Sequence, residues 1–197
     1  MNPILKKMPL LLLTLGLTGC STFNTFSTES QLLDHQIIVD GKTDDWAGNL
    51  YVVEGERVSL GLLNDRDNLY ICLLAEDNIT RSQIMMQGLT VWFDPQGGKK
   101  KILGIKYPIG LPPGERPMPK IGENLEEPGF ENRPAEIPAE LEIIRSEKGT
   151  PQKLNIAEAK GIELKAVPSS GLLVYELKIP LIQTEEHPIA VGAEPGK

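Results

Sequence analysis

Two oxygen-rich segments hold the side chains whose chemistry is easiest to name. The first reads Asp40-Gly41-Lys42-Thr43-Asp44-Asp45-Trp46, and the second reads Asn64-Asp65-Arg66-Asp67-Asn68. Clustered carboxylate and amide oxygens suit calcium, so Asp44, Asp45, Asp65 and Asp67 are candidate ligands of a structural calcium ion. Their spacing does not match an EF-hand. The alternative is structural: the first segment makes a turn and packs Trp46 into the core, and the second is a hairpin loop.

One tryptophan has the setting of an aromatic stacking platform. Leu89, Val91 and Phe93 alternate with Thr90, Trp92 and Asp94, and side chains alternate between the two faces of a strand. If Phe93 points into the core, Trp92 points away from it, beside a threonine and an aspartate. We therefore predict that Trp92 binds ligand, with Tyr107 as a possible second aromatic. The alternative is that Trp92 is buried beneath the proline-rich segment 108–138.

The sequence shows no recognisable catalytic or haem-binding set. It contains no nucleophile elbow, no metalloprotease helix motif and no phosphate-binding glycine loop. Haem would need axial ligands, and the two histidines, His35 and His187, lie near opposite ends of the chain. Acids such as Glu123, Glu126 and Glu127 crowd a proline-rich segment, where a solvated surface is the usual role. The chain is predicted not to be an enzyme.

The N-terminus has the pattern of an export signal. Lys6 and Lys7 precede the apolar run Pro9–Leu17, which is about half as long as a membrane-spanning helix. The run ends in Leu17-Thr18-Gly19-Cys20, which resembles the lipobox of bacterial lipoprotein precursors. The resemblance implies cleavage before Cys20 and acylation of its sulfur and its new amine, which would hold the protein on a membrane. The alternative is an ordinary secretory signal with a chance cysteine.

Charge and cysteine content narrow the possible partners. Loss of Lys6 and Lys7 with the leader takes the formal charge from −7 to −9. A domain this acidic is not expected to bind nucleic acid, and its membrane attachment would depend on the lipid alone.

Once Cys20 is acylated, only Cys72 remains, so no intramolecular disulfide can form. We expect Cys72 to be a buried structural thiol within an apolar strand.

The rest of the chain shows the pattern of an all-β domain. Residues 20–36 form the predicted lipidated N-terminus and flexible tether, and residues 37–197 form one domain that contains the proline-rich excursion 108–138. Short apolar runs alternate with turn residues, so we predict an antiparallel β-sandwich of nine to ten strands. The predicted strands are Gln36–Val39, Tyr51–Glu54, Arg57–Leu63, Leu69–Glu76, Leu89–Phe93, Lys101–Tyr107, Ala139–Ser146, Leu154–Val167 with a possible break at Gly161, Leu172–Ile179 and Ile189–Val191.

Two further features refine this prediction. The strand Leu69–Glu76 is apolar on both faces, so it should be central and covered on both sides. The segment 108–138 contains eight prolines and cannot be a sheet strand. We expect it to fold over the sandwich and supply the second cover. A short turn around Ser82–Gln87 is the only helical candidate.

Several motifs together resemble the carbohydrate-binding family-nine-like and DOMON-like group of β-sandwich domains. They are the Asp40–Trp46 segment, Val58–Asp65, Asn68-Leu69-Tyr70, Gly88–Asp94 and Tyr175–Pro180. The similarity runs from about Ile38 to Val191. Some members of that group bind sugars and others bind haem, while many have no known ligand. The sugar-binding members can carry structural calcium, and they hold the sugar between a pair of aromatics. This chain matches the group's order of motifs, but the second aromatic of the pair is not evident.

The resemblance implies a function as well as a fold. We expect a membrane-anchored lipoprotein of the cell envelope, on the outer membrane if the source has two membranes, whose non-catalytic domain binds polysaccharide. The alternative is a structural or protein-interaction domain that contacts an envelope protein and has no small-molecule ligand.

Overall fold

A computed structural model describes residues 28–112, 114, 139–147, 149–169 and 171–193. The predicted signal peptide, Cys20 and most of the proline-rich segment lie outside the described residues. Ten strands and one α-helix are present. In chain order they are β1 Gln31–Leu32, β2 Tyr51–Val52, β3 Val58–Asn64, β4 Asn68–Ala75, α1 Asn78–Gln87, β5 Thr90–Phe93, β6 Leu103–Lys106, β7 Glu140–Arg145, β8 Gln152–Asn155, β9 Glu163–Ser169 and β10 Leu172–Pro180.

The strands form two sheets packed face to face, which confirms the predicted all-β sandwich. Sheet A has the order β1-β3-β4-β10-β9, with β2 also paired to β3, and sheet B has the order β5-β6-β7-β8. All pairings are antiparallel except that of β1 with β3. The main core lies between the sheets and includes Ile71, Tyr175 and Leu177 from sheet A and Phe93, Ile105 and Leu141 from sheet B.

The predicted central position of β4 is confirmed, and its outer face is covered by a segment that the prediction did not name. Most of segment 108–138 lies outside the described residues, so the predicted cover by that segment stays a prediction. Strand β4 places Ile71 and Ala75 in the main core, and it places Tyr70 and Cys72 in a second cluster on the outer face of sheet A. That cluster is completed by Ile37 and Trp46, with Leu33 and Leu50 against it, and not by any described residue of 108–138. Residues 33–50 therefore provide this cover through a few apolar side chains.

Three of the predicted strands differ from the structure. Residues 36–39 and 189–191 form no strand, although Ile37, Ile189 and Val191 are buried. They pack as extended chain and satisfy their backbone in other ways: Ile38 N donates to the Asp45 carboxylate, and Val191 N donates to Pro180 O. The predicted strand 154–167 divides into β8 and β9, with Gly161 at φ 84° between them. The chain crosses from sheet B to sheet A at this break.

The helix and the tether boundary also differ from prediction. Helix α1 begins at Asn78 because the Asp77 carboxylate caps it, accepting from the backbone N–H groups of Ile79 and Thr80. The prediction of a turn over Ser82–Gln87 captured only its second half. Gln31 and Leu32 pair with Leu63 and Asn64 of β3, so the described sheet begins inside the segment that was predicted to be tether.

Candidate functional site

Strand β5 directs Trp92 onto the outer face of sheet B. Phe93 is 6% exposed and lies in the main core, so its neighbour Trp92 points to the opposite side of the sheet, as the alternation predicted. The indole is half-buried. It is therefore accessible from solvent, while part of its surface packs on the protein.

The part that packs lies against the backbone of β6. Trp92 is paired directly with Gly104. A Cβ atom placed on Gly104 would lie 2.9 Å from Cζ3, 3.0 Å from Cε3 and 3.1 Å from Cη2 of the indole. A point almost equidistant from three consecutive ring carbons lies over the face of the ring and not at its edge. The ring therefore lies flat on the strand, and only glycine leaves room for it there.

Polar side chains share this face of sheet B with the ring. Lys101 Nζ lies over the indole, 5.5 Å from its centroid, within the range of a cation–π interaction. On the next row of the same face, Lys106 Nζ and a Glu142 carboxylate oxygen are 3.9 Å apart, and both side chains are mostly buried. Ile144 lies beyond Gly104 on the row of Trp92. We call this set, Thr90, Trp92, Lys101, Gly104, Lys106 and Glu142, the Trp92 face.

Tyr107, the predicted second aromatic, does not belong to the Trp92 face. It is 5% exposed and packs in the main core with Leu103 and Ile105, four and two residues before it on the same side of the strand. Burial raises the pKa of its phenol. The structure thus places the two predicted ligand-binding aromatics on opposite faces of sheet B. The parity of residues 103, 105 and 107 was the signal that could have shown this.

The candidate calcium ligands of the second segment are engaged by their own loop. The Asp65 carboxylate accepts from Asp67 N at 2.8 Å, from Asn68 N at 2.6 Å and from the Tyr70 hydroxyl at 2.8 Å. Burial opposes the ionised form of Asp65, but these hydrogen bonds outweigh it, and the pKa of the carboxyl is lowered. This arrangement is that of an Asx-type hairpin loop, the structural alternative for this segment.

Asp44 and Asp45 lie in a single 3-10 turn, Asp44–Trp46. The Asp45 carboxylate accepts from Ile38 N at 2.9 Å, so it closes the segment that covers sheet A. Among the described residues, no group of three or more histidine, cysteine, aspartate or glutamate side chains is placed to hold a metal ion. Calcium binding by Asp44, Asp45, Asp65 or Asp67 stays a prediction, and a melting temperature that chelator does not move would remove it.

The most unusual polar residue of the structure, Glu176, was not singled out by sequence reasoning. It is 0% exposed on β10, facing the cluster that contains Trp46. Its carboxylate accepts from the Trp46 indole N–H at 2.8 Å and from Gly41 N at 2.6 Å. Burial raises the pKa of Glu176, partly offset by these two hydrogen bonds. The signal was a single acid within the apolar run Leu172–Ile179.

Glu176 and Trp46 together explain the distinctive Asp40–Trp46 segment. Trp46 is 1% exposed, and the hydrogen bonds to Glu176 fix both ends of the segment on sheet A.

Cys72, on the same face, is 0% exposed. Burial, and then the charge of Glu176, raise the pKa of the Cys72 thiol to about 12. Such a thiol is almost entirely protonated at neutral pH and therefore a poor nucleophile.

Comparison of the chain with models of known protein families, with curated proteins and with solved structures finds no match. The described part of the chain contains no helix with the length and apolar character needed to cross a bilayer.

Proposed function

We propose that this protein is a lipid-anchored, non-catalytic saccharide-binding module whose binding surface is the Trp92 face. The observation that supports the proposal is the indole of Trp92, which lies flat on Gly104 and is partly open to solvent. A pyranose presents a face of C–H groups that packs on an aromatic ring, and hydroxyl groups around its rim that need hydrogen-bonding partners. Thr90, Lys106 and Glu142 offer such partners on the next row of the same face.

The packing of the ring also favours binding. A ring already held against a strand loses little rotamer freedom when a ligand stacks on it, so less of the interaction energy is spent on ordering. Gly104 supports one face of the indole, which leaves the opposite face for a ligand. The exposed Lys101 side chain would have to move aside.

The second part of the proposal is the anchor at Cys20. Ten residues lie between Cys20 and Gln31, so these two residues are at most about 40 Å apart when the chain is fully extended. A domain held this close would collect saccharide at the surface of the cell envelope, on the outer membrane where there are two. Cys20→Ser is expected to release the protein from the membrane fraction, and unchanged retention of that variant would contradict the anchor.

The resemblance to carbohydrate-binding family-nine-like and DOMON-like domains enters the proposal only as support at the level of fold. A two-sheet sandwich is what the resemblance implies, and related folds host different ligands. The proposal therefore depends on the geometry at Trp92.

The decisive experiment is affinity electrophoresis of the full chain, purified in a non-ionic detergent, through gels that contain a panel of polysaccharides. Wild type should be retarded by at least one of them, and Trp92→Ala should migrate as in a gel without polysaccharide. Tyr51→Ala is the matched control, because Tyr51 is a surface aromatic on sheet A, 38% exposed. Absence of retardation on every polysaccharide, or equal retardation of Trp92→Ala, would refute saccharide binding at this face.

A second candidate function is a protein-interaction domain, which one observation favours. The edge of sheet A formed by β1 and β2 exposes Leu32 to 74% and Val52 to 66%. Exposed apolar side chains on a sheet edge suit a protein partner. If this reading holds, Leu32→Asp combined with Val52→Asp would abolish crosslinking to an envelope protein in intact cells, whereas Trp92→Ala would not. Crosslinks that persist in the double variant would count against it.

A further inference from the structure

We infer that the saccharide bound at the Trp92 face is acidic, carrying carboxylate or sulfate groups. This inference rests on the proposed function and names the class of ligand. It comes from the charge around Trp92, which is opposite in sign to that of the protein as a whole.

The hairpin between β5 and β6 is locally basic. It contains Lys99, Lys100 and Lys101 in succession, all exposed, against a single acid, Asp94, in a chain whose formal charge is −7. Within the described part of the chain, none of these three lysines forms a salt bridge. Lys153, also exposed, lies on the outer face of the same sheet, across from Glu142. The lysines therefore leave positive charge on one side of the Trp92 ring.

The nearest acid of the hairpin offsets only part of that charge, through its interaction with Lys100. The Asp94 carboxylate accepts from Gln96 N at 3.1 Å and from Lys100 N at 2.8 Å, so it is bound to the backbone of its own turn. Glu142 faces Lys106 at 3.9 Å. The ammonium groups of Lys100 and Lys101 are thus available to an anionic ligand that stacks on Trp92.

The position of Lys101 favours an acidic sugar over a neutral one. Its ammonium group lies over the indole, and an exposed cation–π interaction makes a modest favourable contribution there. A neutral sugar that displaced Lys101 would lose that contribution. An acidic sugar would give the displaced ammonium group an anion in exchange, and it would place the anion beside Lys100 as well.

The test compares charged and uncharged forms of the same polymer. The full chain in non-ionic detergent is run through gels that contain polygalacturonate or its methyl ester, and dextran sulfate or dextran. We expect retardation by one or both acidic polymers and much weaker retardation by the uncharged forms. Retardation should fall as salt is raised, because ions screen exposed charges beyond roughly 10 Å at 0.1 M. The polymer that retards the chain distinguishes carboxylate from sulfate.

Two charge-matched variants locate the effect. Lys100→Gln with Lys101→Gln should weaken binding about tenfold, which two exposed charge pairs of ordinary strength can supply. Lys160→Gln with Lys165→Gln removes the same charge from exposed positions outside sheet B and should leave binding within about twofold of wild type, as expected for screened distant charges. Circular dichroism checks that both variants fold.

Three outcomes would overturn the inference, and they differ in what they say about saccharide binding itself. Equal retardation by charged and uncharged polymers, lost in Trp92→Ala, would leave the proposed function standing and refute the acidic ligand. Equal weakening by the two double variants would show long-range attraction and no lysine site. No retardation by any polymer would refute both.

Discussion

The two tryptophans of this domain pack in the same way and end in opposite environments. Each lies against a glycine of an adjacent segment: a Cβ on Gly61 would lie 2.6 Å from Cε3 of Trp46, and a Cβ on Gly104 would lie 2.9 Å from Cζ3 of Trp92. Yet Trp46 is 1% exposed, whereas Trp92 is half-buried. The difference arises from what lies outside each sheet.

On sheet A, residues 33–50 lie over the strands and bring Trp46 down to Glu176. A buried carboxylate must be hydrogen-bonded to be tolerated, and the indole N–H and Gly41 N meet that requirement. On sheet B, the neighbour of the indole is an exposed lysine instead. We propose that Trp46 serves stability and Trp92 serves binding, and substitutions can test that division.

The largest effect is expected from Trp46→Ala. Removal of a fully buried indole should lower the free energy of unfolding by about 3–5 kcal/mol, and it also leaves one Glu176 oxygen without its donor. Trp92→Ala should lower it by about 1 kcal/mol or less, since a partly exposed side chain loses less buried area. Urea denaturation followed by circular dichroism measures both. Equal losses would show that the two tryptophans have the same role.

The second prediction concerns the carboxylate beneath Trp46. In Glu176→Gln, the amide NH₂ would face one of the two N–H donors, so one hydrogen bond is replaced by a contact between donors. We expect a loss of about 1–3 kcal/mol in the free energy of unfolding, the usual effect of leaving a buried polar group without a partner. Saccharide binding at the Trp92 face should be unchanged, because Glu176 lies on the other sheet.

The loss in Glu176→Gln should also depend on pH with a defined sign. Burial raises the pKa of Glu176 above its ordinary value of 4.5 in the folded protein, so the unfolded chain ionises first as pH rises. The difference in the free energy of unfolding between wild type and Glu176→Gln is then greatest below about pH 4.5. It falls as pH rises through the pKa of Glu176 in the folded protein. Urea titrations from acidic to neutral pH measure it, and an advantage that grows with pH would contradict the assignment.

Asp65→Asn is a control for which the loss of stability should depend on pH in the opposite direction. Hydrogen bonds from Asp67 N, Tyr70 and Asn68 lower the pKa of Asp65 despite partial burial. Its contribution to stability is therefore present above its ordinary pKa and is lost as pH falls through the folded pKa. As the solution becomes more acidic, the free energy of unfolding that wild type has in excess of Asp65→Asn should decrease. The excess over Glu176→Gln should increase over the same pH change.

Strand alternation was enough to predict much of the fold and one part of the site. It predicted the sandwich, the central position of β4 and the outward direction of Trp92, because all three follow from which residues share a face of a strand. The same parity would have placed Tyr107 in the core with Ile105. Asp77 before Asn78 was a readable helix cap that the prediction did not use.

Other features depended on contacts between distant parts of the chain. The hydrogen bond from Gly41 N to Glu176 joins residues 135 positions apart, and no local pattern identifies such a pair. The cover of sheet A was likewise unpredictable, because residues 33–50 pack through a few apolar side chains without a strand period. The flat support of Trp92 by Gly104 required the register of β5 against β6, which alternation alone does not set.

The smallest change adds one methyl group beneath each tryptophan, and its smallest effect is expected at Gly104. In Gly61→Ala the new Cβ would meet the confined Trp46 ring and would lie 3.0 Å from the backbone oxygen of Asn49. We expect a loss of about 1–3 kcal/mol in the free energy of unfolding, as for other overpacked cores. In Gly104→Ala the partly exposed Trp92 ring can lift away from the strand, so the loss should be below about 1 kcal/mol.

The lifted ring of Trp92 in Gly104→Ala would no longer lie flat, so retardation by polysaccharide should weaken even though the fold is kept. A Gly104→Ala variant as unstable as Gly61→Ala would show that Trp92 is confined like Trp46 and is no open binding surface.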